Sequence, residues 1–226
     1  MEWKDLDNSG RLWIRAALSD GECDALADAT SHHGAPGARI ALSDSLSKLV
    51  GSDSVFGRLA EMYRSGARVV RIVAFDKTEK ANWVVPWHQD RVIAVTARHE
   101  VPGYSNWTHK RDVWHVEPPV ALLERMFFAR VHLDDTDGSN GCMEIALGSH
   151  RHGVVPSHHA AELATAGPVE ACVARRGDLV FVDALTLHRS GASMSPRPRR
   201  TLRIDFSADD LPYPLQWALR PDNDAV

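Results

Sequence analysis

The strongest constraint on this chain is a change of texture at Gly66. Before it, apolar residues recur at helical spacing: Cys23, Leu26 and Ala27, then Leu42, Leu46, Leu49 and Val50, then Leu59, Met62 and Tyr63. A 3–4 repeat puts such side chains on one stripe of an amphipathic helix. Ser19 and Glu22 have the spacing of a capping box, so a first helix of about three turns starts there. Gly51 interrupts a second helical region, which ends near Gly66. Beyond Gly66 the apolar residues fall into short β-branched and aromatic segments at 69–75, 83–88, 126–133, 179–187 and 201–206, separated by Gly, Pro, Asn and Asp. That punctuation predicts an antiparallel sandwich or barrel. Leu202, Ile204 and Phe206 alternate with Thr201, Arg203 and Asp205, as in a strand with one buried face. Asn140-Gly141 is a hairpin signal feeding a strand at 143–146. The segment 91–119, with Tyr104, Trp107 and Trp114, shows no period and reads as a long binding loop or lid.

Length and charge narrow the class of function. At 226 residues and 44% hydrophobic, the chain is expected to form a single domain over 1–226, with a helical part to about 66 and a β core over about 67–210. A net charge of −4 gives no clustered basic excess for phosphate backbones, and the basic run at 197–203 is short, so no nucleic-acid partner is expected. Cys23, Cys142 and Cys172 are widely spaced without a C-x-x-C pair, which fits a reducing cytoplasm better than a disulfide framework. The polar, acidic start lacks the order of a signal peptide, and no apolar run approaches the roughly 18 residues of a membrane span. A soluble cytoplasmic protein, monomer or homodimer, acting on a small molecule is the expectation.

Twelve histidines must be weighed before any is taken as a ligand. The pairs His32-His33 and His158-His159, together with His99, His109, His115, His150 and His152, read as ordinary surface or satisfied core residues. His88-Gln89-Asp90 differs, because the two-residue strand period turns His88 and Asp90 to one face, within reach of one ion. Imidazole plus carboxylate suits iron(II), and a second histidine completes a facial triad with open positions. His132-Leu133-Asp134 has the same form and is a rival. Downstream lies His188-Arg189-Ser190-Gly191, and of all twelve histidines only His188 is followed eleven positions later by an arginine, Arg199.

These motifs together resemble the phytanoyl-CoA dioxygenase family: Trp87-His88-Gln89-Asp90, then Asn140-Gly141-Cys142-Met143 leading to Gly148-Ser149-His150, then His188-x-Ser190-Gly191 with Arg199. The resemblance spans about 69–206. It implies an α+β fold, a double-stranded β-helix (jelly-roll, cupin-like) barrel preceded by helices. It assigns His88, Asp90 and His188 to iron(II). It gives Arg199 and Ser190 the distal carboxylate of 2-oxoglutarate, which a guanidinium fork matches as lysine does not. Arg200 ranks second, since alternation points it away from Arg199. Arg130 is placed at the cosubstrate or on the surface with equal weight. Gln89, Trp83 and Arg189 are candidate substrate contacts, Arg189 for an anionic group, although Trp83 and Trp87 suit the core better.

The chain departs from the family pattern at Leu147, where proline is common, at Arg189, where glycine is common, and at Cys142-Met143, where Pro-Leu is common. The resemblance implies a dioxygenase in which oxidative decarboxylation of 2-oxoglutarate to succinate and carbon dioxide drives hydroxylation of an unactivated C–H bond by dioxygen. No side chain beyond the metal ligands then needs to act as acid or base. Asp90 speaks against a halogenase, whose relatives carry a small residue there. Two alternatives share the barrel: a cupin-type metal enzyme that does not use 2-oxoglutarate and needs no Arg199, and a non-catalytic ligand-binding jelly roll.

Overall fold

The computed structural model describes residues 3–31, 37–79 and 81–219; the His32-His33 pair lies outside them. In chain order the elements are α1 (Lys4–Ser9), β1 (Arg11–Ile14), α2 (Asp20–Ala29), β2 (Ala38–Arg39), α3 (Asp44–Val50), α4 (Val55–Tyr63), β3 (Arg68–Lys77), β4 (Val85–His88), β5 (Ile93–Val95), β6 (Ser105–Lys110), β7 (Val113–Glu117), α5 (Val120–Leu123), β8 (Phe127–His132), β9 (Met143–Ala146), α6 (Ala160–Ala166), β10 (Val169–Ala171), β11 (Leu179–Asp183), β12 (His188–Ser190) and β13 (Arg199–Ser207). The helices start where the sequence supplies caps. Ser19 forms a full capping box with Glu22 at α2, and Ser43 and Ser54 accept the first free amides of α3 and α4.

Two antiparallel sheets make the jelly roll. One has six strands in the order β1-β11-β8-β13-β3-β2, the other four in the order β10-β9-β12-β4. The helices α1 to α4 bury Leu6, Leu26, Leu46, Val50, Phe56 and Ala60 against the outer face of the six-stranded sheet, where Ile72, Phe127, Val131, Phe181, Leu202 and Phe206 meet them. A smaller cluster around Trp87, Ala146, Ala160, Ala164 and Leu187 fixes α6 to the outside of the four-stranded sheet. Between the sheets, Phe128, Met143, Ile145, Cys172, Val180 and Val182 fill part of the interior.

Several expectations are revised. The N-terminal part is not wholly helical, because β1 and β2 cover the two edges of the six-stranded sheet. Both are too short, at four and two residues, to show a period. The segment 91–119 is not a loop but the three-stranded sheet β5-β7-β6. Its hairpin turns on Arg111 and Asp112, both at positive φ, where Asn-Gly would have been the readable signal. Asn140-Gly141 in turn makes no hairpin. The Asn140 side chain bonds Asp135 O and Asp137 N to build a compact turn that carries the chain from β8 in one sheet to β9 in the other. Gly141 sits at φ +70°, and a Cβ there would lie 2.6 Å from Gly191 O, so glycine is required. The segment 179–187 is two pieces, with β11 ending at Asp183 and a turn leading into β12.

Strand β13 corrects the reading most relevant to function. Its apolar residues do face a core, as alternation predicts, but Arg199, Thr201, Arg203 and Asp205 are buried as well. The polar face lines the inside of the barrel.

Candidate metal centre

Antiparallel pairing sets His88 of β4 opposite His188 of β12, and their rings lie 4.3 Å apart. Asp90 follows two residues after His88, and its Oδ2 is 3.2 Å from His188 Nε2. One ligand atom from each of His88, Asp90 and His188 lies within 4.8 Å of the others. Backbone carbonyls set the tautomers: His88 Nδ1 meets Pro86 O and His188 Nδ1 meets Thr186 O, each at 2.9 Å. A carbonyl only accepts, so both Nδ1 atoms carry the proton and both Nε2 lone pairs are left for an ion. Burial pushes the Asp90 carboxyl up, yet the Arg203 guanidinium and both imidazoles outweigh it and hold the carboxylate ionised, well below its usual range. Burial, and then His188, push His88 down, keeping the imidazole neutral. Two imidazoles and a carboxylate fit iron(II).

Arg203 supports the carboxylate from inside the barrel. It donates Nη1 to Asp90 and Nε to Asp205 Oδ1 at 2.5 Å, and it lies 3.9 Å over the Phe128 ring. Arg71 donates to the other oxygen of Asp205. A partner this well fixed orients a ligand, and such partners change metal affinity by about 10–100-fold when removed. Arg203→Leu is expected to weaken iron binding by about that factor, read by anaerobic titration; unchanged affinity would separate Arg203 from the centre.

Beside the triad sits a group of buried cations. Lys77 and Arg199 are paired in register on β3 and β13, and Arg130 projects from β8. Lys77 is fully buried and Arg199 is 2% exposed. Among the described residues none of the three makes an ion pair. They bond only neutral groups: Lys77 with Gly191 O and Ser190 Oγ, Arg199 with Gly141 O, and Arg130 with Thr201 Oγ1 and Met143 Sδ. The Nε atoms of Arg130 and Arg199 have no partner at all. Burial lowers Arg199 to about 10, and burial with the Arg199 charge lowers Arg130 to about 9, so both stay charged at neutral pH. Burial, then Arg199 and Arg130, lower Lys77 to about 8. Charges so placed require a counter-anion, and a dicarboxylate fits. Lys77 went unnoticed in the sequence because nothing in a strand ending at residue 77 marks one lysine as facing inward; its register opposite Arg199 is the signal. Because an anion favours protonated Lys77, 2-oxoglutarate binding is expected to weaken as pH rises through about 8, a dependence that Lys77→Met should abolish in a pH series of dissociation constants.

The remaining candidates are placed differently. Ser190 lies in the cation group, its hydroxyl 3.2 Å from Gly141 O. Trp83 is half-buried, its ring 5.2 Å from Lys77 Nζ, so it caps the cations. Gln89 faces away from the triad, donating to Gly153 O and Leu185 O and accepting from Val155 N, and is a structural tie. Arg189 points out of the sheet, bound to Glu144 at 2.8 Å and stacked on Trp87. The rival His132 is 1% exposed, bonded to Asp178 O and stacked on Trp13, while Asp134 pairs with Arg200. That pairing also takes Arg200 away from the centre. A groove of about 720 Å³ beside α6, bordered by Leu147, Arg151, His159 and Glu162, contains none of the triad.

An antiparallel jelly roll that gathers two imidazoles and one carboxylate beside a group of buried cations is the architecture of the 2-oxoglutarate-dependent non-haem iron oxygenases. Within that class the chain belongs to the phytanoyl-CoA dioxygenase family, whose model matches residues 6–201. It is 29% identical over 183 residues to the ectoine dioxygenase of Halomonas elongata, covering 69% of this chain and 50% of that protein. It is 26% identical over 147 residues to the ectoine dioxygenase of Bordetella parapertussis, covering 53% and 47%. The chain thus spans about half the length of the curated relatives it matches. Among solved structures, the alpha-ketoglutarate-dependent epimerase SnoN from nogalamycin biosynthesis superposes with a TM-score of 0.66 at 21% identity, covering 98% of this chain and 94% of that one. EctD from S. alaskensis superposes at 0.60 and 18% identity, covering 97% and 80%. These two show the fold. No helix among the described residues is long and apolar enough to cross a membrane.

Proposed function

We propose that this chain hydroxylates an unactivated C–H bond of a small organic molecule, with iron(II) held by His88, Asp90 and His188 and 2-oxoglutarate held at its distal carboxylate by Arg199, Lys77, Arg130 and Ser190. The observation that carries the reading is the adjacency of a three-ligand cluster to buried cations without carboxylate partners. Bound iron with the keto acid and dioxygen supplies the oxidising chemistry. The protein's work is to bind, orient and exclude water. The carbonyls of Pro86 and Thr186 fix the imidazoles, Arg203 fixes the Asp90 carboxylate, and the β13 arginine anchors the cosubstrate. Trp83 and the apolar interior around Phe128 and Met143 keep the reacting centre dry.

The test is anaerobic addition of iron(II) and then 2-oxoglutarate, followed by a metabolite screen under oxygen. A visible charge-transfer band on adding the keto acid, succinate release, and a product heavier by one oxygen atom derived from labelled dioxygen are expected. Absence of the band in wild-type protein would sink the site assignment. A product of unchanged mass would keep the site and replace hydroxylation with epimerisation.

A further inference from the structure

We propose that the substrate carries an oxyanion group, a carboxylate, phosphate or sulfate, and that Arg39 and His115, with Arg71 beside them, form its subsite at the barrel mouth. This rests on the reading above, since it places the subsite on the substrate side of the same centre. The path from the metal ligands is short. Asp90 is held by Arg203, Arg203 by Asp205, and Asp205 by Arg71, whose Nη1 also donates to Val92 O at 3.2 Å. Arg39 of β2 pairs with Val73, two residues from Arg71 along β3 and on the same face, and it feels the charges of both Arg71 and Asp205. His115 comes from β7, opposite Ala94 of β5. Its neighbours Trp114 and Val116 pack into another cluster, so His115 faces the other way. Arg111, at the hairpin tip, donates to Gly37 O at 2.8 Å and ties the small sheet to the chain entering β2.

These groups lack what buried polar groups ordinarily have. His115 is 2% exposed, and its ring nitrogens make no well-formed hydrogen bond, the backbone of Val113 being close enough only for a weak one. Arg39 Nη1 is buried without a partner, and Arg39 makes no ion pair among the described residues. Burial, then Arg39 and Arg71, push the His115 imidazole down to about 4. An imidazole and a guanidinium left unsatisfied cost stability unless something fills the gap between them. Three guanidinium groups, Arg39, Arg71 and Arg203, share two carboxylates, Asp205 and Asp90, and Asp90 also serves the metal. The missing partner is therefore an acceptor with negative charge, and a planar fork beside an N–H donor suits an oxyanion. The cosubstrate does not supply it. Arg199 and Asp205 are six residues apart on β13, about 20 Å at strand rise, so the two anion sites lie at opposite ends of the strand.

The probe is direct. Protein loaded with zinc(II) and saturating 2-oxoglutarate is titrated with inorganic phosphate, with hexanoate and with the neutral hexanamide, following the imidazole Cε1–H resonance that His115→Gln removes. Phosphate and hexanoate should move it saturably while hexanamide does not, and Arg39→Gln should weaken both at least tenfold with Arg39→Lys between. An equal response to the amide, no saturable movement, or wild-type affinity in Arg39→Gln overturns the proposal. The iron(II)/2-oxoglutarate band of the same proteins separates the two readings. With the band present and no anion response, only the subsite fails; with the band absent and a saturable anion response, the subsite stands and the cosubstrate assignment fails.

Discussion

His88→Ala and Asp90→Ala each yield folded protein that binds neither iron(II) nor 2-oxoglutarate in the metal-dependent mode and releases no succinate. Each substitution removes one of three atoms that converge within 4.8 Å, so the loss exceeds the roughly 10–100-fold of an outer contact. Folding survives because neither side chain is part of the apolar clusters, and Arg203 keeps Asp205 when Asp90 is lost. His132→Ala provides the contrast. It deletes a buried ring stacked on Trp13 and should cost about 1–3 kcal/mol of stability while leaving iron binding intact. Iron titration and thermal unfolding on the three variants check this. Loss of iron in His132→Ala alone would reverse the choice between the two H-x-D segments.

Arg199→Ala is expected to raise the dissociation constant for 2-oxoglutarate by about 30-fold to several thousand-fold, the equivalent of about 2–5 kcal/mol for truncating one member of a desolvated charge pair. The side chain is 2% exposed and among the described residues bonds only Gly141 O, so its charge is free for a ligand. Iron affinity in the absence of the keto acid should change little. Arg199→Lys should restore part of the affinity, since a point charge replaces a fork. If Arg199→Ala keeps wild-type affinity, the distal carboxylate lies elsewhere.

The order of helices before strands, the cap at Ser19, and the main strands could be read from spacing because each has a local cause. A serine accepts an amide three residues on, and β-branched residues alternate along a pleat. The candidate triad was legible in part: the strand period placed His88 and Asp90 together, although β4 ends at His88 and Asp90 lies just beyond it, and His188 came from the family resemblance. What escaped notice depends on partners distant in sequence. Two-residue β2 is a strand only because β3 offers it an edge. The strand β6 is exposed nearly throughout and shows no apolar rhythm. Lys77, Arg203 and His115 look like surface residues until the second sheet and β7 close over them. Arg189 looked like a metal neighbour because adjacency in sequence does not reveal which side of a pleat is inside.

The alternation along β13 also links assembly to competence. Were the strand to slip by a single position against β3 and β8, Leu202, Ile204 and Phe206 would swing into the cavity and three charged side chains would be driven among the helices. No misaligned form of this barrel can be both well packed and able to seat a cosubstrate, so the chain needs no separate safeguard against a folded but defective oxidant.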